Sequence, residues 1–591
     1  MQASLHERLR EPKKLKVSFH CIISMSNFIT QCDVVGGDEN IRRGENNSIE
    51  HISTKSALLD LFFQLVRGAD VSRLSNYIDN ICHNAGSIED LFVLLFQTRD
   101  CRGGKGEKEL FYRIIIYLYE KFPDRIDNLL ELIPTYGYYK DYWNILSIVY
   151  ESIDSEEATK RAARLKREIF AIYSRKLFED ANEIRNNPEN PVISLAAKYS
   201  PREQHEFATK HNALFCEFVR KYMFPRLPHS QQMWLYRKLI VGLNRALQVT
   251  EVYMCAKRYS EIDFTRVPSL CLSRFRKAFL NELCHKRGHV YVPMPMDEEK
   301  GNRFPDDPDR VAARQNLKRI MAGAGADTGT IKAKQLMPHE IVENILDFSK
   351  SKSEVELFQS QWDIIRDNAS VRGNFIPIVD VSSSMNGTPM LVAIALGLLI
   401  SETTNLKYRN KIITFSESPA WVSLEGVEGI VEKVSHTRCA PWGGSTNFAK
   451  AMDMILDVVI DNDLSPSEVP DLIVFSDMQF DEADSSYNTH YQRIEKQFHD
   501  AGMDILGEPY PVPRIVFWNL RATNGFPVTC DTNNTMMLSG FSPALMKAFL
   551  KGDEMEVITP LKTLDDILYD ERYDPVRARF RDAGLNERAR A

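Results

Sequence analysis

The stretch Asp380-Val-Ser-Ser-Ser-Met385 decides the fold of the second half of this 591-residue chain. It follows an apolar run, Asn374-Phe-Ile-Pro-Ile-Val379, which predicts a buried parallel strand. It precedes residues 391–400, whose continuous apolar composition predicts a buried helix. Asp380, Ser382 and Ser384 would then lie on a loop at the carboxyl end of a strand. A carboxylate and two hydroxyls in this arrangement form a set of hard oxygen ligands that suits Mg²⁺ or Mn²⁺.

Two further oxygen donors occur at matching junctions between strand and helix. Thr446 ends the segment Gly443-Gly-Ser-Thr446 before a helical run, and Asp477 ends the apolar run at 471–476. Ligands of open α/β sheets gather at the carboxyl ends of the strands. We therefore expect one divalent cation, Mg²⁺ or Mn²⁺, to be held by Asp380, Ser382, Ser384, Thr446 and Asp477. The alternative is that these Asp and Ser residues only form turns and helix N-caps.

The rest of the second half predicts a doubly wound α/β domain over residues 371–570. Strands are expected near 374–380, 411–416, 471–477 and 513–519. Helices are expected between and after them, near 390–404, 446–461, 488–501 and 543–550. Such alternation is typical of a sheet covered by helices on both faces.

The first half predicts an α-helical array over residues 51–370. Amphipathic stretches follow one another with short polar turns and hardly any strand signal, as in helical solenoids, although no strict repeat period is visible. A Pro-rich and Gly-rich segment near 287–334 predicts a flexible insertion. Residues 1–50 are expected to form a flexible extension. The arginine-rich tail, residues 571–591, is expected to fray or to dock on the α/β domain.

Charge and cysteine content indicate which partners and which cellular location the protein is expected to have. Residues 371–591 contain 20 Lys and Arg against 31 Asp and Glu, a net charge of −11, so the remainder of the −7 chain carries +4. A mildly basic first half is compatible with a phosphate-backbone partner. The ten cysteines are scattered without metal-ligand or disulfide spacing, which predicts reduced thiols in the cytoplasm. No apolar run reaches the length of a membrane span.

Two segments of the first half combine cations, glycines and aromatic residues. They are Thr98-Arg-Asp-Cys-Arg-Gly-Gly-Lys-Gly-Glu-Lys108 and Pro134-Thr-Tyr-Gly-Tyr-Tyr-Lys-Asp-Tyr-Trp143. Exposed cations could contact RNA phosphates while aromatic rings stack on bases. The candidate RNA-binding residues are Arg99, Arg102, Lys105, Lys108 and Lys140. The alternative is a solvated loop between helices beside an aromatic core.

The pattern D-x-S-x-S, Thr, Asp resembles the metal-ion-dependent adhesion site (MIDAS) of von Willebrand factor A domains. Together with other motifs it also resembles a widespread domain-of-unknown-function family over roughly residues 50–570. The motifs include Arg102-Gly-Gly-Lys-Gly106, Ser194-Leu-Ala-Ala-Lys198, Tyr236-Arg-Lys238, Pro338-His-Glu340, Trp442-Gly-Gly-Ser-Thr446, Ser476-Asp-Met-Gln-Phe480 and Val516-Phe-Trp-Asn-Leu-Arg521.

That family is similar in architecture to the Ro ribonucleoprotein autoantigens, in which a TROVE module of helical repeats precedes an A-type domain. The resemblance implies a HEAT-like or TROVE-like helical array followed by a von Willebrand factor A-like domain. By analogy with Ro proteins, it also implies that RNA or a ribonucleoprotein binds the array.

Three classes of function remain open. The first is a non-catalytic binding scaffold that engages RNA or a ribonucleoprotein through the helical array, while the metal site captures an acidic side chain or a phosphate. The second is a protein-binding scaffold that uses only the metal site. The third is a metal-dependent hydrolase, for which the sequence offers no second metal cluster and no Ser-His-Asp, Cys-His or H-E-x-x-H arrangement.

Overall fold

A helical region is followed by a mixed six-stranded sheet with flanking helices. The computed structural model describes residues 40–83, 88–282, 301–323, 330–333, 336–346, 351–369, 373–415, 418–439, 447–462, 464–481, 490–550 and 558–590. The predicted order of a helical array and an α/β domain is confirmed at this level of architecture. None of the helices in these ranges combines the length and the apolar composition needed to cross a bilayer.

The helical region is built from short and medium-length helices, with one long helix, α8, near its middle. Its helices are α1 (Ala57–Gln64), α2 (Val71–His83), α3 (Ile88–Arg99), α4 (Lys108–Lys121), α5 (Pro123–Leu129), α6 (Ile133–Tyr136), α7 (Lys140–Glu151), α8 (Glu156–Asn186), α9 (Ala196–Tyr199), α10 (Glu206–Lys210), α11 (Asn212–Glu217), α12 (His229–Ala246), α13 (Thr250–Cys255), α14 (Ser269–Phe279), α15 (Pro308–Met321), α16 (Pro338–Leu346) and α17 (Lys352–Ala369).

Six strands form the sheet in the order β5-β4-β3-β6-β7-β8, and all neighbours are parallel except β4 and β5. The strands are β3 (Phe375–Asp380), β4 (Lys411–Phe415), β5 (Ala420–Ser423), β6 (Asp471–Ser476), β7 (Ile515–Asn519) and β8 (Thr535–Ser539). The helices are α18 (Thr388–Thr403), α19 (Ile430–Arg438), α20 (Phe448–Asp461), α21 (His490–Ile505), α22 (Pro560–Leu568) and α23 (Asp574–Arg590). The edge strands β5 and β8 were not predicted. The segment Pro543–Leu550, predicted to be a helix, is 3-10 helical.

Helix α18 is buried on nearly all sides because it lies between the sheet and the helical region. It packs on β3 through Gly397, where an added Cβ atom would lie 2.4 Å from Val379 Cγ2. Helices α16 and α17 also pack against α18, and Trp362 Nε1 of α17 donates a hydrogen bond of 2.9 Å to Glu402. The apolar run at 391–400 is therefore the helix that joins the two regions.

Lys105 connects the helical region to the end of the sheet. Its side chain is fully buried, and Nζ donates to the carbonyl oxygens of Phe62 (2.5 Å) and Leu65 (3.0 Å) and to Ser539 Oγ (2.6 Å). Burial lowers the pKa of Lys105 well below its usual range, while the nearby Glu107 carboxylate acts in the opposite direction. The three acceptors match the three N–H donors of an ammonium group, so the contacts favour the charged form.

The contacts around Lys105 belong to a continuous interface between the two regions. Ser539 Oγ donates to the Phe62 carbonyl (2.6 Å), and Asn519 Nδ2 donates to the Phe63 carbonyl (3.1 Å). A single apolar core extends from Leu59 to Val576 and includes side chains of both regions. The two regions therefore fold against each other as one unit.

The arginine-rich tail was predicted to fray or to dock on the α/β domain, and this prediction is wrong. It forms α23, which packs on α3 and α5 of the helical region. Arg577 pairs with Asp90 at 2.8 Å, Arg581 pairs with Glu89 at 2.7 Å, and the Phe580 ring lies 5.0 Å from that of Phe92. Glu89 and Asp90 lie on α3, and Arg579 also pairs with Glu131 (2.9 Å), so the tail meets acidic side chains within the half of the chain that carries a net positive charge. The net charges of the two halves therefore did not reveal this contact.

The predicted flexible insertion near 287–334 contains an ordered helix, α15. Pro308 occupies its first turn, and the Asp307 side chain accepts hydrogen bonds from Asp309 N (3.1 Å) and Arg310 N (3.3 Å). Leu317 is buried in a second apolar core with residues of α14 and α17. The prediction of a flexible segment is therefore wrong for this helix, whereas 283–300, 324–329 and 334–335 lie outside the described residues.

The predicted flexible extension also contains ordered structure at its end. Strands β1 (Ile41–Arg43) and β2 (Ile49–His51) form an antiparallel hairpin. The hairpin bridges to the α/β region through Asn47 with Asp481 and His51 with Phe526. Residues 1–39 lie outside the described part of the chain.

Replacing Lys105 by Met should lower the free energy of unfolding by about 3 kcal/mol, because the buried Leu65 carbonyl and Ser539 hydroxyl lose the Lys105 donor, and the Phe62 carbonyl keeps only the Ser539 hydroxyl, while the side-chain volume is kept. Urea unfolding followed by circular dichroism measures this change. Lys108→Met is the matched control, since Lys108 is exposed three residues further along the chain. Equal unfolding free energies for the two variants would show that the Lys105 contacts do not stabilise the interface.

Candidate functional site

The candidate site lies where the order of the strands reverses. From β3 the chain moves outward to β4 and β5, and it then returns to β6 and moves outward to β7 and β8 on the other side. Ligand sites of open α/β sheets lie at such switch points, at the carboxyl ends of the strands. The pairing of Val379 with Phe475 sets Asp380 beside Ser476 and brings Asp477 to the same edge.

Asp380 is completely buried at the end of β3. Its Oδ1 accepts a hydrogen bond from Ser382 N (2.9 Å), and its Oδ2 accepts one from Ser476 Oγ (2.6 Å). Burial, and then the charge of Asp477, raise the pKa of Asp380 to about 7. The two carboxylates therefore resist being ionised together unless a positive charge is added between them.

Asp477 follows β6 and is 1% exposed. Its Oδ1 accepts from Gln479 N (3.2 Å), but its Oδ2 is buried and has no hydrogen-bond partner among the described residues. Burial raises the pKa of Asp477, while the neighbouring Ser384 hydroxyl acts to lower it. A buried carboxylate oxygen without a donor is costly, so Asp477 Oδ2 is a position where a cation would be stabilising.

The two serine hydroxyls complete the described part of the site. Ser382 Oγ and Ser384 Oγ lie 3.0 Å apart, and Ser384 is only half-buried, so the site opens to solvent on this side. In the parts of the chain that the structure describes, no group of three or more His, Cys, Asp or Glu side chains is arranged so that it could hold a metal ion. A cation here would therefore need hydroxyl ligands as well as carboxylates, and Mg²⁺ and Mn²⁺ accept both.

The structure thus brings together four of the five predicted ligands: Asp380, Ser382, Ser384 and Asp477. Thr446 lies outside the described residues, directly before Asn447, the N-cap of α20. The donors present fit a hard divalent cation, and its binding stays a prediction.

Four polar residues at the site were not predicted as site residues: Ser476, Arg521, Asn46 and Glu45. Ser476 Oγ donates a hydrogen bond to Asp380, as described above. Its place in the site follows from the register between β3 and β6, which the sequence alone does not give. Arg521, from the loop after β7, donates through Nη1 to the Ser384 carbonyl oxygen. Asn46 Nδ2 at the tip of the β1–β2 hairpin donates to Gln479 O (2.9 Å), and the adjacent Glu45 carboxylate acts to raise the pKa of Asp477.

The neighbouring residues Trp518 and Asn519 have a packing role. Trp518 is completely buried, and its Nε1 donates to the Gly540 carbonyl oxygen (2.7 Å). Asn519 is also completely buried and contacts the helical region through Phe63.

Two of the predicted RNA-binding side chains cannot reach a phosphate in this structure. Arg99 is 2% exposed and forms a bidentate pair with Asp141, with Nε–Oδ2 and Nη2–Oδ1 distances of 2.8 and 3.1 Å. Lys105 is the buried interface residue described above. The expectation that both are exposed is wrong, because each finds its partners in segments distant in sequence.

The other three predicted cations remain accessible. Arg102 is exposed, and one of its N–H groups donates to the Thr135 carbonyl oxygen (2.7 Å). Lys108 is exposed in the first turn of α4, and Lys140 is half-buried in the first turn of α7. Their contact with RNA stays a prediction.

Comparison with known proteins shows which family this chain belongs to, but the matched domains and the relative have no described activity. Residues 44–169 and 159–286 match a domain of unknown function (DUF2828), and residues 374–579 match another (DUF7788). The chain is 30% identical to "Uncharacterized protein L728" of Acanthamoeba polyphaga mimivirus over 534 residues, which cover 88% of this chain and 86% of the relative. The chain belongs to the same family as this relative. The two matched domains correspond to the helical region and the α/β region, and all four described candidate ligands lie within the second.

The rise in melting temperature caused by Mn²⁺ or Mg²⁺ should be larger at pH 8 than at pH 6. The raised pKa of Asp380, about 7, means that this group is protonated in the metal-free protein at pH 6, so a cation must displace a proton there. At pH 8 the carboxylate is already ionised and binding is not opposed. Differential scanning fluorimetry with and without each cation measures the effect.

Two variants control this measurement. Asp477→Asn should remove the response to the cation at both pH values. Asp471→Asn, at the opposite end of β6, should retain it, since the carboxylate of Asp471 pairs with Arg514 away from the site. A melting temperature that is indifferent to cations in the unsubstituted protein would contradict the metal assignment.

Proposed function

We propose that this protein is a non-catalytic binding protein whose α/β region captures an anionic group through one divalent cation. The observation that carries the proposal is the unpartnered, buried Asp477 Oδ2 beside Asp380 and the paired hydroxyls of Ser382 and Ser384. Bound Mg²⁺ or Mn²⁺ would keep a coordination position for an outside oxygen ligand. Asp380 and Asp477 would neutralise the cation, and the two serines would orient it toward the opening.

We also propose that the α/β region is von Willebrand factor A-like and that the helical region is a degenerate HEAT-like or TROVE-like array. The strand order supports the first assignment. Numbered from β3, the strands lie in the order 3-2-1-4-5-6, the doubly wound order, with one antiparallel edge strand. The position of Asp380, Ser382 and Ser384 at the switch point agrees with an adhesion-type site.

The surroundings of the site favour binding over catalysis. A hydrolytic metal site needs a positioned general base or a second cation next to an activated water. Apart from the Glu45 carboxylate on the neighbouring hairpin, which acts on Asp477 through its charge, the described side chains around Asp380 and Asp477 are serines, Gln479 and Arg521, none of which is a base near neutral pH. The seven cysteines in the described ranges are free thiols, which supports the predicted cytoplasmic location.

Acetate should displace water from protein-bound Mn²⁺, because the open coordination position accepts a carboxylate oxygen. The paramagnetic relaxation of water protons measures this displacement, with protein in excess over Mn²⁺ and ionic strength held constant with sodium chloride. The relaxation rate should fall as acetate is added. An unchanged rate with Mn²⁺ still bound would contradict a site that is open to anions.

RNA binding through the helical region is a second candidate, and one feature of α12 favours it. Trp234 is 56% exposed, and Lys238 Nζ lies 5.1 Å from the centre of its ring. Val241 and Arg245 follow on the same exposed face at helical spacing. An exposed aromatic ring beside cations can stack on a base while the cations contact phosphates.

Crosslinking of the tagged protein in cells, followed by sequencing of the recovered RNA, tests this candidate. Replacing Arg102, Lys108 and Lys140 by Gln should reduce recovery and flatten the salt dependence of binding in vitro. Asp477→Asn should leave RNA recovery unchanged, because the cation site is assigned a separate role. RNA recovery that depends on Asp477 but not on the three cations would contradict this assignment.

A further inference from the structure

Arg521 is held at the rim of the candidate cation site by the β-sheet itself. The residue before it, Leu520, donates its main-chain N–H to the Ser476 carbonyl oxygen (3.0 Å), and Arg521 N donates to Asn519 Oδ1 (3.0 Å). Ser476 also binds Asp380, so the loop after β7 is fixed directly against the end of β6. The backbone position of Arg521 relative to the carboxylates is therefore set by strand pairing.

The guanidinium of Arg521 is exposed and is largely unused within the described protein. Nη1 donates to the carbonyl oxygen of Ser384, one of the predicted ligands. A guanidinium has five N–H donors. Within the described ranges, the guanidinium of Arg521 forms no ion pair with a carboxylate. Donors therefore remain next to the opening at Ser384, where an incoming ligand would approach the cation.

We propose that Arg521 is a specificity-determining residue that holds the second oxygen of a carboxylate whose first oxygen binds the cation. This inference rests on the proposed function, because it assumes that the cation site captures anions. Two-point binding explains why an arginine, whose N–H groups form a planar fork, lies at this position. The ligand is then the side chain of an Asp or Glu residue on a protein partner.

The charges around the site favour a carboxylate over an RNA phosphate. Two ionised Asp side chains, a divalent cation and Arg521 sum to +1, and Glu45 on the neighbouring hairpin lowers this sum to 0, so a monoanionic carboxylate is favoured over a dianionic phosphate. An RNA phosphodiester also carries a single negative charge, so what disfavours RNA is the charge of the wider surface. Residues 371–591 carry a net charge of −11, from 20 Lys and Arg against 31 Asp and Glu, so a polyanion is repelled over a wider area.

The test compares three Mn²⁺-loaded proteins: the unsubstituted chain, Arg521→Gln and Arg521→Lys. Water-proton relaxation measures the affinity of each for acetate. Loss of a charge-assisted hydrogen bond should weaken acetate binding about tenfold or more in Arg521→Gln. The acetate affinity of Arg521→Lys should lie between those of the unsubstituted chain and Arg521→Gln, since lysine keeps the positive charge but lacks the planar set of N–H donors of a guanidinium. Arg409→Gln is the matched control, because Arg409 also donates to a main-chain carbonyl, that of Thr404, but lies before β4 at the opposite edge.

The affinity for Mn²⁺ distinguishes a ligand contact from a purely structural role. Removing a nearby positive charge should leave Mn²⁺ binding as strong or stronger in Arg521→Gln, whereas a structural role through Ser384 would weaken it. Equal acetate affinities for the unsubstituted chain and Arg521→Gln would overturn the inference. Tighter binding of inorganic phosphate than of acetate would overturn the choice of a carboxylate. No acetate response in the unsubstituted chain would instead refute the proposed function.

Discussion

The parallel register between β3 and β6 is the constraint on which the rest of the structure depends. It sets Asp380 beside Ser476 and Asp477, so two carboxylates meet at the centre of the sheet, where the strand order reverses. The same pairing fixes the strand on which α18 packs through Gly397. Because α18 also contacts α16 and α17, the central pair of strands determines where the helical region lies.

Placing two carboxylates together in a buried position is unfavourable, and the surrounding structure must maintain it. Each ionised group loses solvation, and Asp477 Oδ2 has no hydrogen-bond donor among the described residues, so the Ser384 hydroxyl and the hydrogen bond from Gln479 N offset this loss only in part. The helical region holds the strand ends on this side through two hydrogen bonds. One joins Lys105 to Ser539, and the other joins Asn519 to the Phe63 carbonyl oxygen. Stability from a shared core can therefore offset strain at the candidate site, as is common where a protein binds a ligand.

Local patterns in the sequence were sufficient to predict the central strands and to place four of the five candidate ligands at the same edge of the sheet, while their binding of a cation stays a prediction. Asp380 and Asp477 each end an apolar run, and a run of this kind predicts a buried strand without knowledge of its neighbours. The roles of Lys105 and Arg99 could not be predicted in this way, because a buried and an exposed cation look the same in sequence. Their partners, the Phe62 carbonyl and the Asp141 carboxylate, are about forty residues away and are brought close only by tertiary packing.

The most direct test of the central claim is anomalous diffraction from crystals of the protein grown with Mn²⁺. The account predicts one anomalous peak within coordination distance of Asp477 Oδ2 or of a water bound to it, next to the Ser382 and Ser384 hydroxyls, and a ligand from Thr446 would complete the set. The account would be contradicted if the side chains of the site were ordered in such crystals and no anomalous peak lay at this edge of the sheet, whether or not Mn²⁺ was bound elsewhere.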